Sequence, residues 1–422
     1  MESLTGVGVG TLYRVALEGP KSRSGASLAE RWWASAMIAS DGVTASVIDQ
    51  MSSVALDYIT IRGFKSIASL DKLPLKPVNV LIGPNGSGKS NFIGVFAFLH
   101  AIRDGRLRDY VTRAGGAEKL LHFGSKSTKE LQIHLSFSNE VNQYELKLSP
   151  TEDDGLYPSS ETISFWDKAH YPKPYNDYLS AREQGREAGI SDPKESKIGG
   201  WVRARLGGWR LYHLHDTSSS SPMRKTAKVD DNDFLRPDGS NLASFLYYLR
   251  EKEQTSYSLI RRTVQRVAPF FDDFRLEPLR LKPDDIKLEW RHKNSDQYFD
   301  ASSLSDGTLR FIALATLFLQ GKDHLPSVVL VDEPELGLHP YAITMLASLI
   351  RQASTDTQVI VSTQSSLLLD HFDPGDVLVA NRLGSSTNIA RLEPAQLSDW
   401  RDDYSLGQLW EKNEFSGRPV PE

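Results

Sequence analysis

Apolar and polar positions along this chain follow two periods, and their order predicts an α/β protein. Leu56 to Ile61 alternates with the two-residue period of a half-buried strand, and Glu130 to Phe137 reads as extended too. Pro77 to Ile82 and Ser327 to Val331 are short apolar runs of the kind found in strands buried on both faces. Helical spacing marks Lys89 to Ile102 and Thr308 to Leu319, and Leu242, Phe245, Leu246 and Leu249 predict one or two helices within Asn241 to Val267. Asp285 to Arg291 is extended. Between Pro150 and Ser240 the pattern gives way to Gly, Pro, Ser, Tyr and mixed charge, with a serine run from Ser218 to Ser221, and loops are expected there. No segment of this middle region sustains apolar heptads over three or four repeats, so no long coiled-coil arm is expected.

These patterns divide the chain. Residues 1–50, rich in Gly, Ser and Ala, lack periodicity and are expected to be a disordered N-terminal extension, either a tail or an upstream addition to a product beginning near Met51. Residues 51–149 and 285–422 form the two halves of one α/β head, and 150–284 form an inserted α+β lobe with short helices.

Composition adds exclusions. The 40% hydrophobic and 24% charged residues among 422 support a substantial core, and no apolar run reaches the length of a membrane span. A cytoplasmic protein is expected. The absence of cysteine removes disulfides, zinc-thiolate sites and thiol nucleophiles, leaving histidine and carboxylates for any metal chemistry. A formal charge of −5 gives no global attraction to nucleic acid, which leaves only local patches for such contact.

The first chemical motif is Gly83 to Ser90, GPNGSGKS, which fits the P-loop pattern between a buried strand and a helix. Such a loop turns backbone N–H groups onto phosphate oxygens, and the helix N-terminus adds a positive dipole end. Gly83, Asn85, Gly86, Ser87, Gly88, Lys89, Ser90 and Asn91 are the expected ATP-binding residues, with Lys89 on the outer phosphates and Ser90 on Mg²⁺. The second motif is SVVLVDEPELGLHP, Ser327 to Pro340, an apolar strand ending in two adjacent carboxylates that resembles a Walker B motif. Asp332 is expected to hold Mg²⁺ opposite Ser90, and Glu333 to accept a proton from the attacking water. Read alone, Asp-Glu-Pro is also a respectable helix start.

Ser303 to Arg310, SLSDGTLR, opens a helix shortly before the second motif and resembles the signature of ABC-type ATPases in its RecF-like and SMC-like form. The resemblance implies a P-loop NTPase fold with an ABC-type head split in sequence. It also implies that Ser305 and Gly307 act on the ATP of a partner, in a head-to-tail homodimer around two nucleotides. Val359 to Ser365, VIVSTQS, is placed like the switch strand of that family, with Gln364 where histidine is usual, able to donate a hydrogen bond but not to carry charge. IRGFKS, Ile61 to Ser66, resembles the family's opening stretch and suggests Lys65 as a phosphate contact. Gln132 and Gln143 are both candidates for the Q-loop glutamine.

Other features carry less. His213 and His215 alternate as strand-borne metal ligands would, with Asp216 next to them, but no further ligand group with recognisable spacing accompanies them, and a strand end is the simpler reading. Arg203, Arg205 and Arg210 interleave with Trp201 and Trp209, and Arg261, Arg262 and Arg266 share a helix; these are the local patches available to DNA or RNA. The 58 residues after Gln364 hold no paired acidic motif, so any nuclease or other effector is expected on a separate polypeptide.

Two functions follow as expectations. One is a Mg²⁺-dependent ATPase acting as a dimer in DNA repair or surveillance. The other is a nucleotide-gated subunit of a bacterial defence or toxin–antitoxin-like system that controls a separate effector.

Overall fold

Strand-forming and helix-forming segments assemble here into two large sheets with a buried helix between them. The computed structural model describes residues 55–183, 185–192, 197–397 and 403–414. The expected extension, 1–50, and Met51 lie outside the described residues.

The first sheet is antiparallel. It comprises β1 (Leu56–Phe64), β2 (Ile67–Pro74), β4 (Leu131–Phe137), β5 (Asn142–Pro150), β6 (Leu156–Phe165) and β7 (Tyr175–Tyr178), in the order β2-β1-β4-β5-β6-β7. The second runs β18-β17-β3-β16-β15-β8 and is built on β3 (Val78–Ile82), β8 (Trp209–Tyr212), β15 (Val328–Asp332), β16 (Gln358–Thr363) and β17 (Val377–Leu383). Those five strands are parallel, and β18 (Ser386–Arg391) closes the edge as an antiparallel hairpin partner of β17.

Alternation along the parallel strands explains why the chain has two cores. Val78, Val80, Ile82, Val329, Val331, Val359 and Val361 face one way, while Leu81, Val328, Leu330 and Ile360 face the other. The second set packs with α1 (Lys89–Arg103) against the antiparallel sheet; Phe92, Val95, Phe96, Phe98, Leu99 and Ile102 are buried on nearly every side of that helix, as a helix between two sheets requires. The first set packs against α4 (Leu242–Lys252), α5 (Gln254–Val267), α6 (Asp306–Leu319) and α7 (Pro340–Ala353). Every residue of α6 from Leu309 onward is buried. The remaining helices of at least seven residues are α2 (Leu107–Ala114), α3 (Lys197–Gly207) and α8 (Leu406–Lys412).

The two sheets are also stitched by one side chain. Gln358 Oε1 accepts the Leu56 N–H at 3.1 Å, and its Nε2 donates to the carbonyls of Leu56 and Lys76 at 3.0 Å.

The antiparallel sheet runs on past residue 150. β6 and β7 continue the antiparallel sheet, α3 packs on α1, and β8 lies along β15 with Val331 opposite Tyr212. Strands rich in polar residues, such as LYPSSETISF, do not declare themselves by alternation, because only Leu156, Glu161 and Ile163 of β6 are buried. What stands apart from the two large sheets is smaller: two three-stranded sheets, β9 (Ala227–Lys228) with β11 (Pro278–Leu279) and β12 (Lys282–Ile286), and β10 (Phe271–Arg275) with β13 (Glu289–His292) and β14 (Tyr298–Asp300), beside α4 and α5. Among the described residues no helix is long and apolar enough to cross a membrane.

Leu330 is fully buried at the centre of β15. Leu330→Ala is expected to cost about 2–5 kcal/mol, the range for emptying a core leucine site, and urea unfolding of the variant checks it by a lowered midpoint.

Candidate functional site

The parallel strands deliver the sequence motifs to one end of the sheet. The loop Gly83 to Ser90 leaves β3, whose five residues are all buried, and enters α1. Gly88 sits at φ 100°, and a Cβ there would collide with the Thr387 side chain of β18, so only glycine fits. Thr387 in turn holds the loop from behind, donating to the Ser87 carbonyl at 2.9 Å and bonding Ser66 Oγ at 2.7 Å. Asn91 gives its amide to Ser66 at 2.6 Å, whereas Asn85, Gly86 and Ser90 are exposed.

Lys89 is buried and folds back on its own loop, donating to the Gly83 carbonyl at 2.7 Å and the Pro84 carbonyl at 3.1 Å. Burial pushes its pKa down, and the nearby carboxylates of Glu333, Asp332 and Glu335 oppose that shift. The lysine thus shares one electrostatic neighbourhood with the acids of the second motif.

Asp332 ends β15 opposite Ser362 of β16, and Glu333 follows with φ 40°, a left-handed conformation rare for a residue with a side chain. Its N–H donates to the Ser362 carbonyl at 2.8 Å, and its Oε1 accepts a hydrogen bond from the Gln364 amide. Glu333 and Gln364, each named from sequence as a candidate for the catalytic site, are therefore in direct contact.

The donor set suits magnesium. Asp332 and Ser90 offer hard oxygen ligands, and among the described residues no group of three or more His, Asp or Glu is gathered to cage an ion. Few protein ligands are what a metal arriving with a nucleotide and its own waters needs.

The signature segment is built separately. Ser305 caps α6, accepting the Thr308 N–H at 3.2 Å, and is exposed. Gly307 lies against the Gly337 carbonyl so closely that a Cβ would clash. Arg310 is buried and donates to the carbonyls of Leu214 at 3.0 Å and His215 at 2.7 Å. Arg224 braces the loop before it through Asp306 at 2.8 Å, the Thr217 carbonyl at 2.9 Å and the carbonyls of Ala301 and Leu304.

Several residues escaped the sequence reading. Glu335 is one: its Oε1 accepts the Thr363 hydroxyl and its Oε2 is buried without a hydrogen-bond partner of full geometry among the described residues. His215, weighed from sequence only as a metal ligand or a strand end, is brought by β8 alongside β15, with its Nε2 4.0 Å from Asp332 Oδ2. The neighbouring His213 is held below its usual pKa by burial and by His215. His122 links the opening strands to the site, with Nδ1 2.7 Å from the Lys65 carbonyl and Nε2 3.3 Å from Ser386 Oγ. Glu335 lies three residues from Asp332 and was open to notice as a third acid; the contacts of His122 and His215 had no local signal.

Other candidates are placed elsewhere or already engaged. Gln132 on β4 bonds Glu145 at 2.7 Å, and Gln143 on β5 bonds the Glu140 carbonyl at 3.1 Å, both on the antiparallel sheet. Lys65, half-buried, has its ammonium over the Phe64 ring, and burial lowers its pKa. Arg203 donates to the carbonyls of Arg103, Ile190 and Ser191, Arg205 stacks on Trp201, Arg210 stacks on Phe234, and Arg261 pairs with Asp273. These arginines make contacts within the fold, whereas Arg262 and Arg266 of the same candidate patches are exposed.

Comparison with known proteins agrees with this geometry. Residues 78–370 match the family described as "AAA domain, putative AbiEii toxin, Type IV TA system". The chain is 28% identical over 250 residues to the chromosome segregation protein sudA of Emericella nidulans, a match covering 51% of this chain and 19% of sudA. It is 23% identical over 360 residues to the Old nuclease of Escherichia phage P2, covering 75% of this chain and 57% of that one. The chain thus spans about a fifth of the first relative and little more than half of the other. A crystallised Smc head bound to the C-winged helix domain of ScpA superposes with a TM-score of 0.52 at 19% identity, over 82% of this chain and 99% of the head, a likeness of fold. Since the family match takes in the phosphate loop, the signature segment and the paired acids, this chain belongs to that AAA-domain family, and its P-loop fold is like that of an SMC head.

Proposed function

We propose that the chain hydrolyses ATP with Mg²⁺ in a head-to-tail dimer of two copies, each contributing its phosphate loop to one nucleotide and its signature segment to the other. The observation that carries the reading is the hydrogen bond from the Gln364 amide to Glu333 Oε1, in the same neighbourhood as Lys89. A carboxylate so held has one oxygen occupied and the other free to take a proton.

In the proposed step a water oxygen attacks the γ-phosphorus, the bond to the β–γ bridging oxygen breaks, and ADP leaves while the water proton passes to Glu333. Gln364 orients the base without altering its charge. Lys89 leaves its own loop carbonyls for the outer phosphates, and the Gly83–Ser90 backbone surrounds them. Ser90 and Asp332 would hold magnesium, which would supply charge neutralisation at the phosphates. Ser305 and the N-terminus of α6 face outward, which supports their use on the nucleotide of a partner.

For the biological process, the names of the relatives support chromosome or DNA transactions, and the family description supports a toxin–antitoxin-like role with a separate effector. Stimulation of ATP hydrolysis by duplex DNA separates the two.

Glu333→Gln is expected to retain ATP binding and lose hydrolysis by about 10²- to 10⁴-fold, the contribution of a positioned general base. Steady-state phosphate release and equilibrium ATP titration check it, and size-exclusion chromatography with ATP should reveal a trapped dimer.

Ser305→Arg is expected to bind ATP but neither dimerise nor hydrolyse it, because the new side chain fills the outward-facing anion site. Mixed with Lys89→Ala it should recover part of the activity, since one composite site of the mixed dimer joins two intact halves. Hydrolysis by strictly monomeric Ser305→Arg would refute the shared site.

A further inference from the structure

We propose that Glu335 is a positioning residue of this ATPase: it clamps the backbone on both sides of Gln364, and through Gln364 it holds the base Glu333. The inference rests on the reading of Glu333 as the base.

The hydrogen bonds have a definite direction. Thr363 Oγ1 accepts the Ser365 N–H at 2.9 Å, so its own proton is committed to Glu335 Oε1. Ser365 Oγ then accepts the Leu368 N–H at 3.2 Å and caps the following helical turn. One carboxylate thereby fixes residue 363 directly and residue 365 through the threonine hydroxyl, and Gln364 lies between them. The Gln364 amide closes the ring on Glu333, two residues before Glu335.

A role confined to stability accounts poorly for this group. Its Oε2 is buried and meets no hydrogen-bond partner of full geometry among the described residues, with only the nearby N–H groups of Glu335 and Gln364 to favour its charge. Burial, with the nearby charge of Glu333, raises its pKa against the pull of the Thr363 hydroxyl and the N–H groups of Glu335 and Gln364. Its charge is also felt by Lys89 on the phosphate loop and by Arg310 on the signature helix. The group therefore stands where the three motifs meet.

The test is kinetic, on the full chain. Glu335→Ala is expected to lower kcat by about tenfold to a hundredfold, the scale of an ångström-level misplacement, while the Kd for ATP measured by equilibrium titration stays within twofold. Glu335→Gln should restore most of that loss, because its amide oxygen still accepts the Thr363 proton. Thr363→Val, which leaves the carboxylate in place, should reproduce the alanine phenotype. In the Gln364→Ala background, Glu335→Ala should cause little further loss, since Glu335 acts through Gln364. Unchanged kcat in Glu335→Ala, losses that multiply in the double variant, or reduced ATP affinity at normal kcat would each overturn the proposal. Glu333→Gln in the same assay separates the two levels: wild-type hydrolysis by that variant defeats the base itself, whereas an inactive Glu333→Gln beside a fully active Glu335→Ala defeats only the clamp.

Discussion

The register of β15 against β16 is the constraint on which the site depends. Asp332 pairs with Ser362, and the chains then leave the sheet together, so that Glu333 and Gln364 meet just beyond the last paired residues. The same register sets Thr363 opposite Ile82, the residue before the phosphate loop. A slip of one residue would send the valines of each strand to the wrong core and separate the acid from the amide at once. Core packing and catalytic geometry are therefore enforced by one alternation of apolar side chains, and the site lies at the carboxyl ends of parallel strands, where α/β sheets bind ligands.

Around that register the structure accepts local costs. Glu333 adopts a left-handed backbone conformation that most side chains avoid, Glu335 buries a carboxyl oxygen without a hydrogen-bond partner of full geometry among the described residues, and Lys89 is buried on carbonyls of its own loop. Their proximity makes the costs mutually dependent. Each carboxylate supports the charge of Lys89, and Glu333 raises the pKa of Glu335. A cation and acids in this balance are sensitive to any further charge brought beside them.

The signature helix is rigidly connected to the same loop. Gly307 touches the Gly337 carbonyl without space for a methyl group, and Arg310 grips the chain just beyond β8, next to His215 and hence Asp332. The backbone of α6 and the segment after Glu333 thus approach each other with no side chain between them at this point. The segment that presents Ser305 outward therefore packs directly against the segment that follows Glu333.

The sequence by itself determined the α/β class, the split head, the phosphate loop, the paired acids and the signature helix. These are local features: periodicity reports which face of a strand or helix is buried, and a motif of eight contiguous residues contains its own geometry. Only the tertiary structure decided that β6, β7 and β8 belong to the large sheets, since strands so short or so polar are specified by their neighbours rather than by their own pattern. The same holds for Glu335 and Thr363, 28 residues apart, and for His122 and Ser386, 264 apart. It holds equally for the arginines whose charge looked available until Trp201, Phe234, Asp273 and backbone carbonyls were found beside them. Hydrogen bonds and stacking between distant residues depend on where the sheet brings the chain back, and a linear pattern carries no record of that return.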